Sequence, residues 1–104
     1  MIIVSTDFVP GREITECLGL VRGNTIRAKH IGRDIMAGLR TLVGGEIKEY
    51  TQMLTEARNE SLRRLEQQAQ RLGADAVINL RFVTSQVMSG AAELLAYGTA
   101  VKLA

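Results

Sequence analysis

The chain carries one cysteine, Cys17, and one histidine, His30, beside three aspartates, eight glutamates and four methionines. These are the residues that could do chemistry, and their spacing limits what that chemistry is. His30 and Asp34 stand four apart and would share one face of a helix. There is no second histidine and no Cys-x-x-Cys pair. A soft-metal site normally takes four converging ligands, and one chain supplies at most two strong ones. No metal residue is therefore assigned within a single chain. Several copies of Cys17 or His30 gathered on a symmetry axis would change that count. A thiol enzyme needs a base beside Cys17, and His30 is the one imidazole, with no third group to orient it. Ser5-Thr6-Asp7 reads as a strand-ending turn. Gly44-Gly45 before a helix lacks the phosphate-binding glycine patterns, and Glu46 and Glu49 just after it oppose an anion. Met36, Met53 and Met88 read as core filler. No catalytic residue and no cofactor is expected.

Asn79 and Arg81 are the remaining candidates. They are polar positions on an otherwise apolar strand, suited to line a pocket or ring lumen, or to meet a neighbouring subunit. Val77 and Val83 on the same strand face favour the interface.

The elements that must position these residues follow from periodicity. Ile2 to Val4 is a short β-branched run suited to an edge strand, ended by Pro10-Gly11. Glu13 to Arg22 alternates as a strand, with Ile14, Glu16, Leu18 and Leu20 on one face and Thr15, Cys17, Gly19 and Val21 on the other. Gly23-Asn24 predicts a turn or bulge, with Thr25 to Arg27 continuing the strand. Ile31, Ile35, Leu39 and Leu42 stripe a short helix that ends at Gly44-Gly45. A helix of about 26 residues follows from Glu46, some 39 Å long at the usual rise. Ile47, Tyr50, Leu54, Ala57, Ser61, Leu65, Ala69 and Leu72 form its stripe, and Gly73 stops it. The small Ala57 and Ser61 predict a close approach to a sheet. Glu60 precedes Arg64 by four, an ion-pair spacing.

Ala74 to Val87 alternates again, with Ala76, Ile78, Leu80 and Phe82 on one face. Ser89-Gly90 predicts a hairpin turn. Ala91 to Leu103 is apolar or small on both faces, which places it centrally in a sheet. The fold class expected is α+β. It is a two-layer sandwich of residues 1–104 as one domain, its antiparallel sheet in the order 1-3-2 (long strands numbered along the chain), with the short and long helices on one face.

Gly38-Leu-Arg-Thr-Leu-Val-Gly-Gly-Glu-Ile-Lys-Glu-Tyr50, Leu72-Gly-Ala-Asp-Ala-Val-Ile-Asn79 and Ala96-Tyr-Gly-Thr-Ala100, with the opening Ile-Val-Ser-Thr, resemble the YbjQ-like family of small bacterial and archaeal proteins. The resemblance covers almost the whole chain. It implies a dodecin-subunit-like β-α-β-β fold assembled as a homopentameric ring, with short extra strands assisting assembly. The family is commonly labelled heavy-metal-binding, and no activity comes with that label.

Composition excludes several classes of partner. With 46% hydrophobic residues, 23% charged and no Trp, the chain is an ordinary globular protein with an aliphatic core. The net charge is only +2, and residues 29 to 72 interleave eight basic with six acidic side chains. A nucleic-acid binder would cluster its positive charge. No apolar run approaches a membrane span, and no leader pattern opens the chain. A lone cysteine forms no internal disulfide, which fits a reducing cytoplasm. The expectation is a non-enzymatic homopentamer, with no nucleic-acid or membrane partner. The alternative is a metal- or small-ligand-binding protein with sites formed between subunits.

Overall fold

The structure, a computed structural model, describes residues 1–28, 48–88 and 91–104. The short helix expected over Ile31 to Leu42, His30, Asp34, Met36, the Gly44-Gly45 break and the expected helix start at Glu46 lie outside them, as does the Ser89-Gly90 turn.

Four strands and one helix make up the described fold: β1 (Ile2–Ile3), β2 (Ile14–Ala28), α1 (Lys48–Arg71), β3 (Ala76–Met88) and β4 (Ala91–Leu103). The sheet runs β1-β3-β4-β2. β4 lies antiparallel to both β2 and β3. The three long strands lie in the order β2-β4-β3, but the sheet is not the three-stranded, purely antiparallel one expected. The run at Ile2–Ile3 joins β3 in parallel, opposite Ala76 and Val77, so the sheet is mixed and has a fourth strand.

Helix α1 is amphipathic in a strict sense. Met53, Ala57, Ser61, Leu65 and Ala69 recur every four residues and all are buried. Leu72, expected in this stripe, is exposed. The chain turns away there, because Gly73 at φ 76° closes the helix. Ala74 N–H donates to the Ala69 carbonyl (3.1 Å) and Gly73 N–H to the Gln70 carbonyl (3.0 Å). This bond pair satisfies carbonyls the helix end leaves open.

Two apolar clusters form, one on each sheet face. Leu65 and Ala69 pack with Val21, Val77, Ala96 and Ala100, joined by Ile3, Leu18, Ala74 and Leu80. On the other face Val9 lies over Ala76, Ile78 and Val101, with Val4, Ile14 and Leu103 around them.

The helix lies unusually close to β2. A Cβ built on Gly23 would stand 2.2 Å from the Ser61 carbonyl oxygen and 2.4 Å from the Leu65 nitrogen. Gly23 is therefore neither turn nor bulge; β2 runs straight through it, and its missing side chain admits the helix backbone. Ser61 sits fully buried at this point, its hydroxyl 3.1 Å from the Leu94 carbonyl and 3.3 Å from the Thr25 hydroxyl. The close approach expected from Ala57 and Ser61 is present. It is made by Gly23 and polar pairing as well as by small size.

Alternation along β2 breaks elsewhere. The register against β4 shifts between Cys17 and Gly19, where φ is 105°. The bulge reassigns faces: Leu18 turns to the helix-side cluster, while Leu20 is 66% exposed. They were expected to share a face.

Candidate functional site

Asn79 and Arg81 lie at a second bulge. The register of β3 on β4 jumps from Ile78 opposite Thr99 to Arg81 opposite Tyr97. Asn79 and Leu80 thus face only Gly98. Asn79 has φ 54°, the left-handed region that asparagine tolerates better than most residues. Gly98 is needed there because a Cβ would stand 2.7 Å from Val77 Cγ1 and 2.9 Å from the Ile78 carbonyl oxygen. The bulge puts Leu80 on the side of Val77, against the helix-side cluster, rather than beside Ile78 as strict alternation predicts.

This bulge pins the segment after β1. Asn79 N–H donates to the Thr6 carbonyl (2.8 Å) and Leu80 N–H to the Val4 carbonyl (3.0 Å). The Arg81 guanidinium donates through Nη1 to the Ser5 carbonyl and to the Leu80 carbonyl, each at 2.8 Å. Thr6 closes the turn with its hydroxyl on the Phe8 carbonyl (2.6 Å). Asn79 and Arg81 therefore hold the Ser5–Asp7 turn to the sheet, and Arg81 remains exposed beyond it.

The registers extend the site across the sheet. Arg81 is opposite Tyr97, and Tyr97 is opposite Arg22 on β2. Directly opposed residues share a face, so a half-buried tyrosine lies between two exposed arginines. The rows on either side are Leu20–Thr99–Ile78 and Asn24–Leu95–Val83. Beyond them, Asn24 Nδ2 donates to Glu93 Oε2 (3.2 Å). This is the sheet face turned away from α1, and it exposes Leu20, Ile26 and Val83. Arg22, Tyr97, Leu20 and Ile26 were not singled out in sequence. Only the β2–β4 register brings them together, and it depends on the two bulges.

Cys17 is exposed, on β2 opposite Val101. His30, its only candidate base, lies outside the described residues. Among the described residues no three His, Cys, Asp or Glu side chains come together as a metal site would need. Met53 is buried as core filler, but Met88 is 65% exposed, because the β3–β4 hairpin runs beyond the cover of the helix. Among the described residues, the one strongly shifted titration is on the helix surface. Hydrogen bonds from Arg63, and then from Arg64, hold Glu60 at about 2. Arg64 Nε donates at 3.0 Å and Arg63 Nε at 2.9 Å.

A family profile described as "putative heavy-metal-binding" matches residues 1–104. The chain belongs to the YbjQ family. A relative from Archaeoglobus fulgidus, named only as a UPF0145 protein, is 64% identical over 99% of this chain and 95% of its own length. One from Photobacterium profundum, also named as a UPF0145 protein, is 62% identical over 99% of this chain and all of its own length. A crystal structure of a DUF74-family protein of unknown function from Pediococcus pentosaceus superposes with a TM-score of 0.66. It is 18% identical and covers 100% of this chain and 98% of that one, a likeness of fold alone. This YbjQ-family chain has no described helix long and apolar enough to cross a membrane.

Proposed function

We propose that this chain is a non-enzymatic protein of the cytoplasm whose working form is a homopentameric ring of dodecin-like subunits. The observation that carries this reading is the sheet face opposite α1. It exposes Leu20, Ile26 and Val83 around half-buried Leu95 and Tyr97. A single small chain buries a limited share of its surface, and self-association is the common way to cover such a face. The row Arg22–Tyr97–Arg81 gives the same face polar groups for fixing orientation, which makes Asn79 and Arg81 interface residues.

A second reading keeps the ring and adds a metal or small ligand held between subunits. It is favoured by the exposure of Cys17, since copies of one thiol brought to an axis would supply the ligands that one chain lacks. Native mass spectrometry of tag-free protein, with and without added zinc, tests both readings in one measurement. The expected result is five chains with no retained metal. A mass of one 11.4 kDa chain at micromolar concentration overturns the ring. Tight retention of one ion per ring, abolished by Cys17→Ser, puts the second reading first.

A further inference from the structure

Two opposite margins of the sheet carry unmatched side chains, and they stand at the same height. One margin is β2, the outermost strand on its side. It exposes Leu20 (66%) and Arg22 on the face turned away from α1. The helix steadies the backbone there. Gln68 Oε1 accepts from the Arg22 N–H (2.6 Å), and Arg64 Nη1 donates to the Asn24 carbonyl (2.5 Å). The Arg22 guanidinium takes no part in these bonds.

The other margin is the turn after β1. Asn79 and Arg81 hold the Thr6 and Ser5 carbonyls, and Val9 is buried over Ala76, Ile78 and Val101. Asp7 and Phe8 lie between these two anchors, at the β3 side of the same sheet face. Both are exposed, Phe8 by 54%.

The two patches complement each other. Each sets one apolar side chain beside one charge, and the charges are opposite. Among the described residues neither Asp7 nor Arg22 forms an ion pair. Other carboxylates are less available. Glu60, Glu66, Asp75 and Glu93 each have a partner already, and Glu13 and Glu16 lie on the β2 side itself.

The match in height follows from the registers. Leu20 aligns through Thr99 with Ile78, and Arg22 aligns through Tyr97 with Arg81. Asn79, whose N–H holds Thr6, falls between those two rows. A contact between unlike patches closes into a ring only if its rotation returns to the start, and otherwise winds into a filament. Patches at one height on opposite margins add no rise about an axis running along the strands.

We propose that the Asp7–Phe8 turn is the element that joins one copy of the chain to the next. It seats on the β2 margin of a second copy, Phe8 against Leu20 and the Asp7 carboxylate on the Arg22 guanidinium. This inference rests on the ring reading and supplies its junction. Each copy gives its turn to one neighbour and its β2 margin to the other, so five copies close with no patch left over. Asn79 and Arg81 then act from behind the contact: they fix the turn in advance, which lowers the ordering cost of association. The opposite charges set which margin meets which.

Charge reversal tests the junction. Both side chains are exposed and make no hydrogen bond among the described residues, so the variants should keep the circular-dichroism spectrum of the unsubstituted protein. In native mass spectrometry, Asp7→Arg and Arg22→Asp should each lower the count from five chains to one. Asp7→Arg together with Arg22→Asp in one chain restores an opposite pair at every junction and should return the count to five. That rescue also decides the matter if a single variant fails to fold. Five chains in a folded single variant overturn the junction and leave the ring standing, as does a double variant that stays below five. Any count other than five in the unsubstituted protein overturns the ring and the junction together.

Discussion

The two halves of the sheet obey different rules. β2 and its neighbour β4 carry the helix; the outer half of β3 carries nothing from its own described chain. A helix with its side chains is about 10–12 Å across, while strands lie about 4.8 Å apart, so one helix covers roughly two strands. Here Gly23 and Ser61 draw α1 over β2, Val77 at the near end of β3 still packs under it, and β3 from Arg81 onward is left beyond its reach. The consequence runs through the residue pattern. Val21 and Val77 are buried, while Phe82, Val83, Val87 and Met88, no less apolar, stand in the open. Hydrophobicity alone does not separate the buried residues from the exposed ones. Position relative to the helix does.

The comparison breaks most readily at Leu65, which is fully buried between α1 and the sheet. Leu65→Ala should destabilise the subunit by about 2–5 kcal/mol, as core truncations do. Phe82→Ala, in the uncovered half, should change the stability of the fold by no more than about 0.5 kcal/mol. Equal losses at the two positions, read from urea unfolding, would mean that the halves are not distinct. Next in size is Ala57→Leu, which pushes a larger side chain into the helix–sheet contact and should cost about 1–3 kcal/mol. An effect below about 0.5 kcal/mol would place Ala57 outside that contact.

Gln68→Ala sharpens the comparison at the edge. It removes the acceptor for the Arg22 N–H and should cost about 0.5–1.5 kcal/mol. Hydrogen exchange at that amide should rise with little change elsewhere. The smallest effect is electrostatic. Glu60 is held at about 2 when folded, against 4.5 for the free group. A depressed carboxylate contributes its stability above its unfolded value and loses it as pH falls through the folded one. Glu60→Gln should therefore lower the melting temperature slightly at neutral pH. The difference should shrink between about pH 4.5 and pH 2 and be gone below that. A difference that grows on acidification would show that the Arg63 and Arg64 pairing is not its source.

Much of the fold was legible in sequence, because the signals were local. The long helix and its stop at Gly73, the close-packing Ala57 and Ser61, the alternating strands and the central place of β4 all follow from periodicity and glycine chemistry. What was hidden depended on pairing. Alternation failed at Gly19 and Asn79, since a bulge is defined by the strand opposite and moves every later side chain to the other face. The short Ile2–Ile3 strand read as an edge, but its parallel partner could not be named from two residues. Gly23 read as a turn because its reason for being glycine is a helix distant in sequence. The candidate site was legible only in part. Asn79 and Arg81 stood out as polar residues on an apolar strand, but their work on the Ser5–Asp7 turn requires the fold. Arg22 and Tyr97 belong to the same row only through register.

The order of the chain and the order of the sheet are at odds. β2 is the first long strand to be synthesised, and its hydrogen-bonded neighbour β4 is the last. At the usual pace of about 5–20 residues per second, β2 spends several seconds outside the ribosome before its partner exists. Its apolar positions Leu18, Leu20, Val21 and Ile26 have no sheet to join in that interval. The β3–β4 hairpin forms from neighbours, whereas docking β2 onto β4 closes a long loop, a slow kind of step. Helix α1 emerges between them and carries Leu65 and Ala69, the residues that pack on Val21 in the finished subunit. Among the described residues it is the earliest structure able to shelter β2, so the helix that organises the native core also stands where a growing chain needs cover.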